Sequence, residues 1–191
     1  MIYRWLILTC WLVFVVTWAV FACTAKRTIK HEWACGREIA LRLGILVLVL
    51  LALRFIGFSR AAKVVRVYAV NRNPVAGLIG VALCAFGVGV AVLARIHLGR
   101  NWGLPMSRKE KPDLVTTGPY AAVRHPIYAG LLLAILGSAV GQSLFWVLPL
   151  VMLGPYFIHS AWCEEKLMTE QFPDQYPAYT KRTKMLLPYI L

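Results

Sequence analysis

The sequence predicts an all-α membrane protein, a bundle of about five transmembrane helices that ends in a helical hairpin and a short polar tail. Three observations support this fold class. Of the 191 residues, 60% are hydrophobic and only 15% are charged. The apolar residues are gathered into long uncharged runs instead of following amphipathic spacing. Several runs reach the roughly 20 residues that a helix needs to cross about 30 Å of hydrocarbon.

The first three predicted spans occupy residues 2–25, 39–57 and 74–94. Arg4 lies close enough to the start of the first span for its side chain to reach the interface. A cleaved signal sequence is the alternative for this segment. The apolar stretch is long for a signal, however, and the residues before Cys23 form a poor cleavage site. We therefore interpret the first span as a retained helix.

The last two spans are predicted within residues 126–163, which contain no Asp, Glu, Lys or Arg. This stretch is long enough for two helices of about 17 residues each. Residues 141–143, with the sequence Gly-Gln-Ser, form the natural turn between them. We therefore expect a helical hairpin. The chain would then divide into residues 1–95, with three spans, and residues 96–191, with the hairpin and the tail.

The net charge of +13 comes from basic residues that follow the first span, follow the third span and recur in the tail. With five spans, these three segments share one face, which the positive-inside rule places in the cytoplasm. The loop that contains Arg60 and Arg72 does not obey this rule. The basic residues form no run interleaved with aromatic platforms, so membrane lipids, not nucleic acids, are the expected contacts of this charge.

The five cysteines form no Cys-x-x-Cys pair, and most fall within predicted spans. Small apolar packing is the usual role of such cysteines. The sequence therefore predicts neither a disulfide framework nor a metal site.

The loop before the hairpin contains the first polar residues that could bind a ligand. Gly118 and Pro119 mark a turn, and Pro126 keeps the preceding residue out of helical geometry before opening the next span. Arg124 and His125 therefore lie at the N-terminus of a membrane helix. The positive end of the helix dipole favours an anionic group at this position. An interfacial pair that touches lipid phosphates is equally compatible with this segment.

Two adjacent carboxylates, Glu164 and Glu165, follow the second helix of the hairpin. Adjacent helical residues point about 100° apart, so one carboxylate can face the bundle while the other faces water. Because a hairpin returns the chain to its starting side, we expect Glu164 to approach His125 and Tyr128, with Glu165 on the solvated side. The alternative is a helix that simply continues into water. The first arrangement predicts a polar pocket against the bilayer.

Several motifs follow one another from residue 96 to the end of the chain. The string Leu-Val-x-x-Gly-x-Tyr-x-x-x-Arg-His-Pro-x-Tyr covers residues 114–128. An uncharged hairpin, the Glu-Glu pair and a tail with Phe172, Tyr176, Tyr179 and Leu187-Pro188 follow it. This order resembles the isoprenylcysteine carboxyl methyltransferase family and, more distantly, the phospholipid N-methyltransferases. The full ordered set is far more specific than any one of its motifs.

The resemblance implies a methyltransferase that uses S-adenosylmethionine and lines the cofactor site with seven residues of this sequence. These are Leu114, Val115, Tyr120, His125, Pro126, Tyr128 and Glu164. The residue types suit the cofactor: a carboxylate for its ammonium group, cationic or imidazole donors for its carboxylate, and apolar walls for adenine. From their place at the start of the hairpin, we predict Arg124 and His125 as the candidate catalytic residues.

The sequence departs from the family pattern on the proposed substrate side. Family members usually carry an Arg four residues before the first Glu, where it is implicated in holding the prenylcysteine carboxylate. This chain has Ser160 there, flanked by His159, and a hydroxyl cannot replace a bidentate cation. The acceptor is therefore predicted only as a lipophilic molecule, either an isoprenylcysteine-like carboxylate or a lipid headgroup, that lies near Ser160 and His159. Pro173 also replaces a Gly that the family prefers in the tail.

Two other classes of protein remain open at this point. One is a membrane lipid or sterol reductase, which would retain NADPH in place of S-adenosylmethionine. The other is a non-catalytic membrane scaffold or small transporter. The spans carry few charges that could form a transport path, and the polar residues cluster at one face, which disfavours transport.

Overall fold

The computed structural model of the chain describes residues 2–22, 28–31, 73–101, 107–109 and 113–187. The described residues contain the helices α1 (Ile2–Ala22), α2 (Pro74–Leu98), α3 (Pro126–Gly141), α4 (Val147–Gln171) and α5 (Tyr176–Arg182). Helices α1, α2 and α4 are long and apolar enough to cross a membrane, and α3 is a shorter apolar helix. The predicted all-α membrane fold class is therefore confirmed. The predicted span at residues 39–57 lies outside the described residues.

The described chain also contains short elements that the sequence did not predict. Strand β1 (Thr28–His31) pairs antiparallel with strand β2 (Ser107–Lys109). Single 3-10 turns cover Gly99–Asn101, Gly118–Ala121 and Leu144–Trp146. These elements connect helices and do not change the fold class.

The helix ends follow local sequence signals. Asn73 caps α2 by accepting a hydrogen bond from the Val75 amide, and a proline then opens the helix. Helix α3 likewise begins with a proline, Pro126, as the sequence predicted. It ends at Gly141, and the chain turns through Gln142 and Ser143 into α4. The predicted hairpin and its turn are confirmed.

Helices α2 and α3 pack antiparallel along a seam of small residues. A Cβ atom on Gly80 would lie 2.2 Å from the Gly141 Cα, and one on Gly87 would lie 2.5 Å from the Gly130 carbonyl oxygen. A Cβ atom on Gly137 would lie 2.4 Å from a backbone nitrogen of α2. The two backbones are thus in direct contact. Within a membrane the hydrophobic effect does not drive helices together. The van der Waals attraction of such close contact therefore favours their association.

Helix α1 packs on this pair through aromatic side chains. The Trp11 indole donates a hydrogen bond of 3.0 Å to the Ser138 hydroxyl of α3 and stacks on Trp146 at 5.3 Å between ring centroids. Nearer the start of α1, Tyr3 lies directly over Gly77 of α2. The N-terminal parts of α1 and α2 are therefore side by side.

The opposite ends of α1 and α2 are joined by Arg95. Its side chain is completely buried and donates hydrogen bonds of 2.7 Å to the carbonyl oxygens of Phe21 and Gly99. These carbonyls belong to helix ends, where acceptors lack intrahelical partners and the dipole is negative. Beside them, His97 of α2 packs over Gly118, whose φ of +60° favours glycine. The C-terminal ends of α1 and α2 therefore lie at the same end of the bundle as the loop before α3.

Candidate functional site

The site is built where α3 begins and α4 approaches its C-terminal end. His125 precedes Pro126 and has φ −123° and ψ 61°, so it is not helical and makes no side-chain cap of α3. Its side chain is only 10% exposed and lies against α4. The hairpin brings Glu164 back to this position, as the sequence predicted, and it also brings Glu165, which the sequence had placed on the solvated side.

Both carboxylates contact the His125 imidazole. The Nδ1 atom lies 3.5 Å from the Oε2 atom of Glu164, and the Nε2 atom lies 3.4 Å from the Oε1 atom of Glu165. The glutamate side chains are 25% and 20% exposed, respectively. The expected division between a bundle-facing and a water-facing carboxylate is therefore not observed, because the long glutamate side chains reach the same ring from adjacent positions. The imidazole lies between two negative charges.

The Glu164 carboxylate has a second partner in α3. The Tyr128 hydroxyl donates a hydrogen bond of 2.5 Å to its Oε1 atom. The Tyr128 ring also stacks between two others, with centroid distances of 5.5 Å to His125 and 4.7 Å to Phe157 and interplanar angles of 3° and 7°. Three parallel rings thus form a wall beside Glu164. Phe157 was not predicted from the sequence, although its position seven residues before Glu164 places both on one helix face.

Arg124 is engaged by the protein itself. Its Nε atom donates to the Oε1 atom of Glu165 at 2.7 Å, and its NH1 group donates to the carbonyl oxygens of Thr183 and Thr180 at 2.5 and 3.4 Å. The guanidinium therefore joins α4 to the tail. Sequence reasoning could not find these partners, because a backbone carbonyl has no sequence signature.

The tail is held to the loop before α3 by further hydrogen bonds. The backbone amides of Arg124 and His125 donate to the carbonyl oxygens of Lys184 and Met185 at 2.8 and 3.0 Å. The Tyr179 hydroxyl donates to the Tyr120 carbonyl oxygen at 2.6 Å. We refer to residues 176–187 as the C-terminal strap, because this segment closes over the loop and α4 together.

The other sequence-predicted residues differ in their placement. Tyr120 is buried, which raises the pKa of its phenol above the usual range, and Pro126 is buried at the start of α3. Leu114 and Val115 are half-buried in irregular backbone. On α4, Ser160 is completely buried, and its hydroxyl has no hydrogen-bond partner among the described residues.

His159 lies apart from the cluster formed by Arg124, His125, Tyr128 and Glu164. It is exposed on the outer surface of α4, where its Nε2 atom is 3.7 Å from the Sγ atom of Cys163 one turn later. The structure therefore brings together the two predicted catalytic residues with Tyr128 and Glu164. It does not bring His159 to them.

Opposing effects act on the protonation of His125. Burial lowers the pKa of the imidazole, but the carboxylates of Glu164 and Glu165 outweigh burial and raise the pKa above its ordinary value of 6.5. The protonated ring is favoured in the folded protein. In its protonated form the ring, together with Arg124, balances the charges of the two carboxylates.

This balance predicts that stability decreases as the pH rises. A raised folded-state pKa gives a stabilisation that is fully present below about pH 6.5 and is lost as the pH passes the folded value. We expect the Tm in detergent to fall as the pH rises from about 6 through the raised folded-state pKa of His125. His125→Gln, which has no titrating group, should flatten the profile. An equally steep profile in that variant would show that other groups dominate.

The fold and the site together define a multi-pass integral membrane protein with a polar cluster at one end of a helical hairpin. Residues 75–175, just over half of the chain, match the family model described as phospholipid methyltransferase. The chain therefore belongs to the phospholipid methyltransferase family, a family of membrane methyltransferases.

Curated relatives support the same assignment. The chain is 31% identical over 101 residues to the protein-S-isoprenylcysteine O-methyltransferase of Schizosaccharomyces pombe, covering 51% of this chain and 43% of the relative. It is 32% identical over 107 residues to the nickel-cobalt-cadmium resistance protein NccN of Alcaligenes xylosoxydans xylosoxydans and to the cobalt-zinc-cadmium resistance protein CzcN of Cupriavidus metallidurans. Each of these matches covers 53% of this chain and 48% of the relative.

The chain thus spans about half the length of the curated relatives it matches, or slightly less. The resemblance to the isoprenylcysteine carboxyl methyltransferases that the motifs indicated is confirmed. The family favours neither the reductase nor the non-catalytic alternative.

Proposed function

We propose that this protein transfers a methyl group from S-adenosylmethionine to a lipophilic acceptor at the membrane boundary. The observation that carries the proposal is the Glu164 carboxylate. It is partly exposed, fixed by the Tyr128 hydroxyl and bordered by the stacked rings of Tyr128 and Phe157, in a chain of a membrane methyltransferase family. A carboxylate beside aromatic faces suits a ligand that carries an ammonium and a sulfonium group.

The residues present fit the cofactor in type. Glu164 would hold its ammonium group, and the protonated form of His125 would attract its carboxylate. Tyr120, Tyr128, Pro126, Leu114 and Val115 would supply the walls of the site. When bound, S-adenosylmethionine supplies an electrophilic methyl group, and its transfer requires alignment and exclusion of water more than it requires an acid or a base.

The geometry favours a positioning role for both predicted catalytic residues. Each ring nitrogen of His125 lies within 3.5 Å of a carboxylate oxygen, and the Nε2 atom has no hydrogen-bond partner among the described residues. Arg124 is engaged by Glu165 and the strap. Both residues would hold the carboxylates of Glu164 and Glu165 in place at the membrane boundary. We propose that the protein lies in the inner membrane and that its site opens to the cytoplasm.

Purified protein should be incubated with labelled S-adenosylmethionine and a membrane lipid extract, and the methylated products identified by mass spectrometry. We expect label in a lipid-soluble product, and retention of S-adenosylmethionine but not NADPH by the protein. Tyr128→Phe removes the hydrogen bond to Glu164 but keeps the stacked ring, so it should weaken cofactor retention. Retention of NADPH, or no retention of S-adenosylmethionine under conditions where the protein is folded, would contradict the proposal.

We also expect N-acetyl-farnesylcysteine to be a poor acceptor. Moving its carboxylate out of water requires a cationic partner. Position 160 offers a completely buried hydroxyl, and Arg124 is already paired with Glu165. Methyl transfer to this compound and to a phosphatidylethanolamine vesicle should be compared at equal cofactor saturation. Efficient methylation of the prenylated acid would show that its carboxylate is held by another group.

A further inference from the structure

The C-terminal strap presents basic side chains on its outer surface. Its inner surface carries Tyr176 and Tyr179, which are buried. Lys181, Arg182 and Lys184 are exposed, and their side chains make no contribution to the hydrogen bonds that hold the strap, which use backbone carbonyls and the Tyr179 hydroxyl. These three cations form what we call the basic patch.

The end of the strap packs back against α4, beside a residue that lies well before the end of that helix. Helix α4 has 25 residues, which corresponds to about 37 Å and exceeds the roughly 30 Å of hydrocarbon. After the turn, however, Met185 and Leu186 are buried with Ala161 against Tyr128. Ala161 lies about 21 Å along α4, at a rise of 1.5 Å per residue. Counted from the start of α4, the end of the strap therefore packs at a height below the roughly 30 Å thickness of the hydrocarbon.

A bilayer whose hydrocarbon begins at the start of α4 would place the basic patch close to its headgroup layer. Lys184 immediately precedes the buried pair, and its backbone carbonyl accepts the Arg124 amide at the start of the hairpin. Charges in a headgroup layer interact with the lipid phosphates over a screening length of about 8–10 Å. Residues 172–187 contain these three basic residues and one acidic residue, Asp174, so the strap is net positive.

We propose that the basic patch binds the anionic headgroups of the membrane that holds the protein, and that this contact keeps the C-terminal strap closed over the site. The contact would act through the hydrogen bonds already described, because the strap carries the acceptors of the Arg124 side chain and of the Arg124 and His125 amides. Loss of the strap would release the guanidinium that pairs with Glu165. Anionic lipid would thus stabilise the site without touching it.

Hydrogen exchange tests the contact without any cofactor. The full chain is placed in nanodiscs of phosphatidylcholine alone or of equal parts phosphatidylcholine and phosphatidylglycerol, and exchange is followed at residues 120–125 and 176–187. We expect exchange in both segments to be at least about fivefold slower with phosphatidylglycerol, since each basic residue near an anionic surface contributes on the order of 1 kcal/mol. The triple variant Lys181→Gln, Arg182→Gln, Lys184→Gln should lose this difference.

A charge-retaining variant provides the matched control. Lys181→Arg with Lys184→Arg keeps all three cations and should exchange as the unmodified chain does in both lipids. Equal exchange of the unmodified chain in the two lipids, or an unchanged lipid effect in the Gln variant, would overturn the proposal. So would equal protection by soluble glycerol phosphate in phosphatidylcholine discs, because the ligand would then be a free anion instead of a membrane surface.

A second measurement rests on the proposed function. The affinity for S-adenosylmethionine should be several-fold higher in the phosphatidylglycerol discs, and the Gln variant should show the lower affinity in both lipids. If the chain binds no S-adenosylmethionine in either lipid, the proposed function fails, while the exchange experiment still decides whether the strap binds the membrane.

Discussion

Gly87→Ala is expected to destabilise the protein severely, whereas Gly89→Ala, two residues further along the same helix, is expected to stabilise it slightly. The Cβ atom at position 87 would lie 2.5 Å from the Gly130 carbonyl oxygen and 2.6 Å from the Ala134 amide nitrogen. Both atoms are backbone atoms of α3, so the helices must move apart. Position 89 has no atom within 4 Å of an added Cβ.

The size of the effect follows from the close contact of the backbones. Overpacking costs typically 1–3 kcal/mol, and the displacement of two helices should reach or exceed the upper end of that range. At position 89, replacing a helical glycine with alanine should contribute about 0.5–1 kcal/mol of stability. Thermal unfolding of both variants in the same detergent measures the difference. Similar melting temperatures would show that α2 and α3 are separated more widely than described.

Glu164→Gln is expected to lower the affinity for S-adenosylmethionine by about 1.5–3 kcal/mol, the range for a charge-assisted hydrogen bond. The substitution keeps the shape of the side chain, and Gln can still accept the Tyr128 hydrogen bond. Isothermal titration calorimetry measures the loss. Glu170→Gln, at an exposed position on the same helix, is the matched control for charge and should have little effect.

Glu165→Gln should separate binding from structure. Its carboxylate pairs with Arg124, whose guanidinium also binds the strap, so this substitution should lower the Tm. It should reduce the affinity for the cofactor less than Glu164→Gln does. A larger loss of affinity at Glu165 than at Glu164 would contradict the assignment of Glu164 to the cofactor.

Short-range signals made much of the hairpin predictable. Pro126 opens α3, and the Gly-Gln-Ser turn ends it, because prolines and turn residues act on the backbone next to them. The approach of Glu164 to Tyr128 followed from the topology, since a hairpin returns the chain to its starting side. These predictions required no knowledge of side-chain packing.

The remaining features depend on distances that a sequence pattern does not contain. The direction of a Cβ atom did not determine where Glu165 would reach, because three rotatable bonds separate its carboxylate from the backbone. Arg124 binds carbonyl oxygens of the strap, which any residue could supply. The seam between α2 and α3 did have a signal, since Gly80 and Gly87, and likewise Gly130 and Gly137, are seven residues apart.

The seam between α2 and α3 also limits where the lipophilic acceptor of the proposed function could approach the polar cluster. Where glycines place two backbones in contact, no gap remains that an acyl or prenyl chain could enter from the bilayer. That side of the bundle is a closed wall along the length of the contact. Among the described helices, α4 is the one that leaves a lateral surface beside the cluster, and its outer face carries the larger side chains Val151, Trp162 and His159 toward the surroundings.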